Sequence, residues 1–173
     1  MPTNWRISSF NGVLLAAYFI PTWTIVAFKI MISPVHAFYE RPNIAVALFI
    51  SDHLHLAATP TIRAAWLLAL GKLTVVAFFA IFLVFITRSS IRKAGGSDEA
   101  LAIALAIGSV ISFASMVMAS QVGETQALRL HATELLMLLG TAIVFLVEGP
   151  AETSRAEATD ELSLQQPQLL KHR

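Results

Sequence analysis

Four apolar stretches, at residues 12–32, 64–87, 100–120 and 127–147, dominate this chain. Each is close to the length of about 20 residues that crosses a hydrocarbon layer roughly 30 Å thick. In lipid every backbone N–H and C=O must be satisfied within the protein, so spanning segments of this kind are helices. The fold class expected is all-α: a polytopic membrane protein whose four transmembrane helices form a bundle, residues 1–148, followed by a tail at 149–173. Composition agrees, with 56% hydrophobic and 13% charged residues in 173 and a mean hydropathy of +0.69, outside the ordinary soluble range.

These numbers exclude several functions. The spans use about half of the chain, which leaves no room for a separate soluble catalytic domain. A net charge of +1 without a basic patch gives no footing for nucleic acid, and zero cysteines remove disulfides, thiolate metal sites and cysteine nucleophiles. No Walker A loop, GxGxxG, GxSxG or HExxH motif is present. Val35-His36-Ala37 loosely resembles a signal-peptide cleavage site, but the preceding apolar run exceeds a typical signal segment and carries Lys29 near its end, so it is read as a span.

Arginine and lysine positions set the expected orientation. With the N-terminus inside, the inner side holds Arg6, Arg88, Arg92, Lys93, Arg155, Lys171 and Arg173, and the outer side only Arg41, Arg63 and Arg129. Both termini are therefore expected in the cytoplasm, in a bacterial inner membrane. Trp5 and Trp66 fall near expected interfaces, where their amphipathic rings are favoured. Pro21 is expected to kink the first span.

The outer connection, 33–63, is the longest. Within it Asn43 is placed to cap a run, 44–50, too short to span, so 43–58 is expected to form an interfacial or re-entrant half-helix ending before Pro60. Ile44, Ala47, Leu48 and Phe49 are its expected buried residues, set against lipid or the bundle. Residues 121–126 read as a short polar outer turn, and 149–173 as a disordered cytoplasmic tail with a transient helix near 159–166.

Three features carry possible chemistry. Lys72 lies eight residues into the second span and Glu134 seven into the fourth, about 12 and 10 Å deep at 1.5 Å per residue. The two spans begin on the same side, so the charges are expected to meet in an ion pair, because an isolated charge there costs at least ~2.5–3.5 kcal/mol. Polar stripes extend this into a seam: Tyr18, Thr22, Lys29 and Ser33 on the first span, and His131, Glu134, Thr141 and Glu148 on the fourth.

The second feature is the row Ala100, Ala104, Gly108 and Ser112, whose four-residue spacing lets helix backbones approach closely. It suits packing within the bundle, or docking of a membrane-protein partner or a second copy through the third span. The third is the outer-side set His36, Asp52, His53, His55 and His131, with Glu134, whose nitrogen and oxygen donors suit a divalent metal, or two imidazoles for a haem iron.

Three readings follow: a non-catalytic accessory, assembly or interaction subunit; a small-ligand, proton or ion pathway through the polar seam around Lys72 and Glu134; and a metal- or haem-binding protein using the outer histidines. The first leads because it asks least of special residues. In each the lipid bilayer is the surrounding partner.

Overall fold

A computed structural model describes residues 7–55, 57–88 and 96–170, with side chains up to 148. The helices of the described residues follow in the order α1 (Ile7–Ile32), α2 (Pro34–Phe38), α3 (Ile44–Leu54), α4 (Ala58–Thr87), α5 (Gly96–Val122) and α6 (Thr125–Leu170). No strand occurs among the described residues. α1, α4, α5 and the Thr125–Glu148 part of α6 are each long and apolar enough to cross a membrane.

The helix ends follow local chemistry. α4 starts at Ala58, six residues before the expected 64, and contains Pro60. A proline in a first turn has no i−4 partner to lose, so it starts this helix instead of forbidding it. α1 continues through Pro21. α5 ends at a left-handed Gly123, φ +73°, and the Glu124 amide reaches back to the Ala119 carbonyl at 3.0 Å. This is the Schellman closure, for which glycine is the residue best suited. His55, φ +47°, ends α3 in the same left-handed region.

α1 packs on α4, α4 on α5, α5 on α6, and α6 returns to α1. Close approach is purchased with glycine: a Cβ on Gly12 would lie 2.8 Å from Phe82 Cζ and 3.0 Å from Leu101 Cδ2, so α1, α4 and α5 converge there. The resulting core joins Leu15, Phe19, Val75, Phe79, Phe82, Leu101, Leu105 and Leu138. Phe19 and Phe79 stack with centroids 5.8 Å apart and planes at 17°.

A second cluster joins Ala27 and Ile30 of α1 with Phe38 of α2, Val46, Ala47 and Ile50 of α3, and Ala65 and Ala69 of α4. α2 and α3 thus cover one end of the long helices. α3 buries Ala45, Val46, Ala47 and Ile50, whereas Ile44, Leu48 and Phe49 are half-buried. It rests on α5, and also touches α4 and α6.

At the opposite end the Ile7 and Ser8 amides donate to the two carboxylate oxygens of Glu148, at 2.9 and 3.0 Å. A carboxylate at a helix N-terminus meets unpaired amides and the positive end of the dipole together. This contact puts the start of α1 beside the end of the apolar part of α6. Outward, large apolar residues stand free on every long helix, among them Phe28, Leu67, Val110 and Leu136. The helical backbone of α6 continues through 149–170. Trp5, His172 and five of the cations that set the expected orientation, Arg6, Arg92, Lys93, Lys171 and Arg173, lie outside the described residues.

Candidate functional site

The packed stripe of α1 runs Ser8, Gly12, Leu15, Ala16, Phe19, Trp23, Ala27 and Ile30. This corrects the expected inward face. Tyr18 is 37% exposed and lies edge-on to Phe19, Thr22 is half-buried, and Ser33 is exposed. The Lys29 side chain is 54% exposed and pairs with Glu40 at 2.9 Å. Phe19, Trp23 and Ile30 fill the interior between the helices, and the Trp23 indole bonds to Glu134 there, so close packing and an interhelical hydrogen bond select this face over the polar row one residue away. The ammonium of Lys29, near the helix end, finds its carboxylate at the surface.

Lys72 is buried, 3% exposed, on the stripe shared with Ala65 and Ala69. Glu134 is equally buried on α6. Among the described residues, however, no ion pair joins them. Lys72 Nζ donates to Asn43 Oδ1 at 2.9 Å and stands over the Trp23 ring, 5.5 Å from its centroid. The Trp23 indole donates to Glu134 Oε1 at 3.0 Å. The other carboxylate oxygen, Oε2, lies 3.0 Å from His131 Nδ1. Trp23 therefore meets both charges, presenting its face to the cation and its N–H to the anion.

Asn43 and Trp23 are the members that sequence reasoning missed. Asn43 does sit at the N-cap of α3, and the Ala47 amide bonds to its carbonyl at 3.0 Å. Its side chain makes no cap, because it accepts from Lys72 and donates to the Ala37 carbonyl at 3.2 Å. That ties α2, α3 and α4 together. The readable signal for Trp23 was a tryptophan well inside a span, since a buried indole N–H requires an acceptor.

The stripe on α6 does face inward: His131, Glu134 and Thr141 are buried, and Glu148 holds the start of α1. The stripe is not a continuous polar seam, because Leu138 is fully buried between Glu134 and Thr141 and belongs to the phenylalanine-rich core.

Ala100, Ala104, Gly108 and Ser112 are all buried. A Cβ on Gly108 would lie 3.3 Å from Leu138 Cδ1 and 3.6 Å from Val75 Cγ1. The chain's own α4 and α6 cover this face.

The ligand candidates do not assemble. His36, Asp52, His53 and His55 are exposed. His53 stacks on Phe49, centroids 4.7 Å apart, and His55 Nδ1 donates to the Ser51 carbonyl at 3.1 Å. Only His131 and Glu134 of the set touch, and no group of three histidine, aspartate or glutamate side chains among the described residues is placed to hold a metal ion.

Among the described residues, three buried side-chain polar atoms have no hydrogen-bond partner: Thr24 Oγ1, Ser112 Oγ and His131 Nε2. Clefts lie at the periphery, one of about 200 Å³ between α2 and α4 beside Phe38 and Ile62, and one of about 380 Å³ beside Arg41, Glu124 and Leu130. No protein-family profile matches the chain, and no curated protein or solved structure matches it significantly.

Proposed function

We propose that this chain is an integral membrane protein in which α1, α4, α5 and Thr125–Glu148 form a four-helix bundle. In this reading α2 and α3 form an interfacial cover on the outer side, and both termini lie in the cytoplasm of a bacterial cell. It acts as a non-catalytic accessory or assembly protein within the bilayer. One observation carries the reading: the buried ionisable groups Lys72, Glu134 and His131 are held by bonds that involve Trp23 and Asn43 and reach across four helices. Such a network supports a defined arrangement of helices, in a solvent where the hydrophobic effect does not drive them together. Because the small-residue row of α5 is internal, any partner would meet the lipid-facing sides.

A pathway across the membrane has less support. Beyond Glu134, and before the buried Thr141, lies a layer of Leu138, Phe19, Phe79 and Phe82, all fully buried apolar side chains that offer no polar atom to relay a proton or solvate an ion. Proton and cation flux in proteoliposomes tests the choice. The accessory reading expects flux equal to that of protein-free vesicles. Flux abolished by Lys72→Met or Glu134→Gln would replace it with the pathway reading.

A further inference from the structure

We propose that the outward face of α4 near its start is a binding site for one anionic phospholipid, with the phosphate at Arg63 and an acyl chain along Trp66, Leu67 and Leu70. The site requires α4 to span a bilayer, as proposed above, and is independent of the accessory role.

The first turns of α4 divide small residues from large ones. Ala65 and Ala69 are buried, whereas Trp66, Leu67 and Leu70 are 50%, 70% and 55% exposed. A hollow of about 520 Å³ runs along this outward side, lined by Thr59, Ile62, Arg63, Trp66, Leu67 and Leu70. Steps of three and four residues put these positions on one stripe of the helix. From Thr59 to Leu70 the stripe is about 16 Å long at 1.5 Å per residue. One leaflet contributes half of a hydrocarbon core roughly 30 Å thick, so the hollow matches the reach of a single leaflet.

The order of side chains along the stripe follows the order of groups in a phospholipid. Thr59 comes first, then the guanidinium of Arg63, then an indole, then two leucines. Arg63 is exposed, and no hydrogen bond or ion pair with another described residue engages it. No carboxylate lines the hollow, and Glu40, in the turn after α2, is taken by Lys29 at 2.9 Å. A free guanidinium presents a fork of donors that fits two phosphate oxygens, while its stem lies on apolar surface. Trp66 stands one turn deeper, at the level where headgroups give way to chains and amphipathic rings are favoured. Beyond it Leu67 and Leu70 offer only hydrocarbon. The cleft of about 200 Å³ between α2 and α4 adjoins at Ile62 and adds the hydroxyl-bearing Tyr39 and Thr61 at the headgroup level.

The same division of side chains favours a lipid over another helix. Helices in membranes associate where small residues let their backbones approach. Those of α4 point inward, and the large outward side chains around a hollow hold a second backbone away. A flexible acyl chain conforms to such a surface.

Native mass spectrometry of the full chain released from detergent tests the site, with phosphatidylglycerol and phosphatidylcholine of equal acyl length in competition. The expected result is one phosphatidylglycerol retained several-fold in preference to phosphatidylcholine. Arg63→Gln should abolish the preference and Arg63→Lys should keep part of it, while Arg129→Gln, which removes an exposed cation on α6, should leave it intact. In phosphatidylcholine vesicles, a small fraction of phosphatidylglycerol brominated on its chains should quench tryptophan emission more than brominated phosphatidylcholine does, and Trp66→Phe should remove the excess. Equal retention of the two lipids, a preference that survives Arg63→Gln, or quenching without an excess overturns the proposal. Displacement of the lipid by soluble glycerol phosphate also overturns it, because the headgroup alone would then be the ligand. The chain has no cysteine, so Leu67→Cys reports on this face alone, and efficient disulfide cross-linking between copies would assign the face to a second copy instead. The wild-type measurements decide the matter even if a variant fails to fold. Extraction of the chain from vesicles by alkaline carbonate would defeat the membrane reading itself, whereas stable insertion without a lipid preference defeats the lipid site alone.

Discussion

Replacing Trp23 by benzothienylalanine, which keeps the shape of tryptophan but has sulfur where the indole carries N–H, removes one hydrogen bond and little else. In the parent that N–H lies 3.0 Å from Glu134 Oε1, in a site where Trp23 is 1% exposed and Glu134 3%. A hydrogen bond to a charged group is worth about 1.5–3 kcal/mol, whereas ordinary interhelical hydrogen bonds in membranes average about 0.6 kcal/mol. The dry surroundings and the anionic acceptor place this bond in the higher range, so a loss of about 2 kcal/mol is expected. Reversible unfolding in mixed detergent and SDS, followed by circular dichroism, measures it. Trp23→Phe should lose more, about 3 kcal/mol, because it also leaves space beside Phe19 and weakens the ring beneath Lys72. If the sulfur analogue lost less than about 0.6 kcal/mol, Glu134 would not be acting as a buried charged acceptor, and the reasoning about the whole cluster would fail.

A double-mutant cycle of Lys72→Met and Glu134→Gln should give a coupling of about 1 kcal/mol, since Trp23 separates the charges; about 3 kcal/mol or more, the scale of a broken buried pair, would mean that they touch. Gly12→Ala should destabilise by about 1–3 kcal/mol because its Cβ would lie 2.8 Å from Phe82. Gly140→Ala, where nothing lies within 4 Å, should be neutral or stabilising by up to about 1 kcal/mol, and the same unfolding assay compares the two. Glu148→Ala should cost about 1 kcal/mol by freeing the Ile7 and Ser8 amides, read as faster hydrogen exchange at the start of α1. Reporter fusions in the 88–96 connection and at the C-terminus should both report the cytoplasm, and an external signal from either would reject the proposed topology.

Much of this molecule was legible along the chain. The length of each apolar run against the thickness of a bilayer determined four membrane-length helices, and helical periodicity placed Lys72 on the Ala65–Ala69 face and His131 beside Glu134. Those are properties of one helix at a time. Periodicity could not choose between two adjacent stripes on α1, because Tyr18 and Lys29 mark one face as clearly as Phe19 and Trp23 mark the next. The surface carboxylate of Glu40 and the phenylalanine core decided that choice. Nor could depth arithmetic show that Trp23 would meet both Lys72 and Glu134, or that Asn43 would leave its cap to bind an ammonium 29 residues away. Those partnerships depend on how separate helices are rotated and slid against each other. Contacts such as Gly12 against Phe82 and Gly108 against Leu138 set that rotation and register, and they exist only once distant parts of the chain have packed.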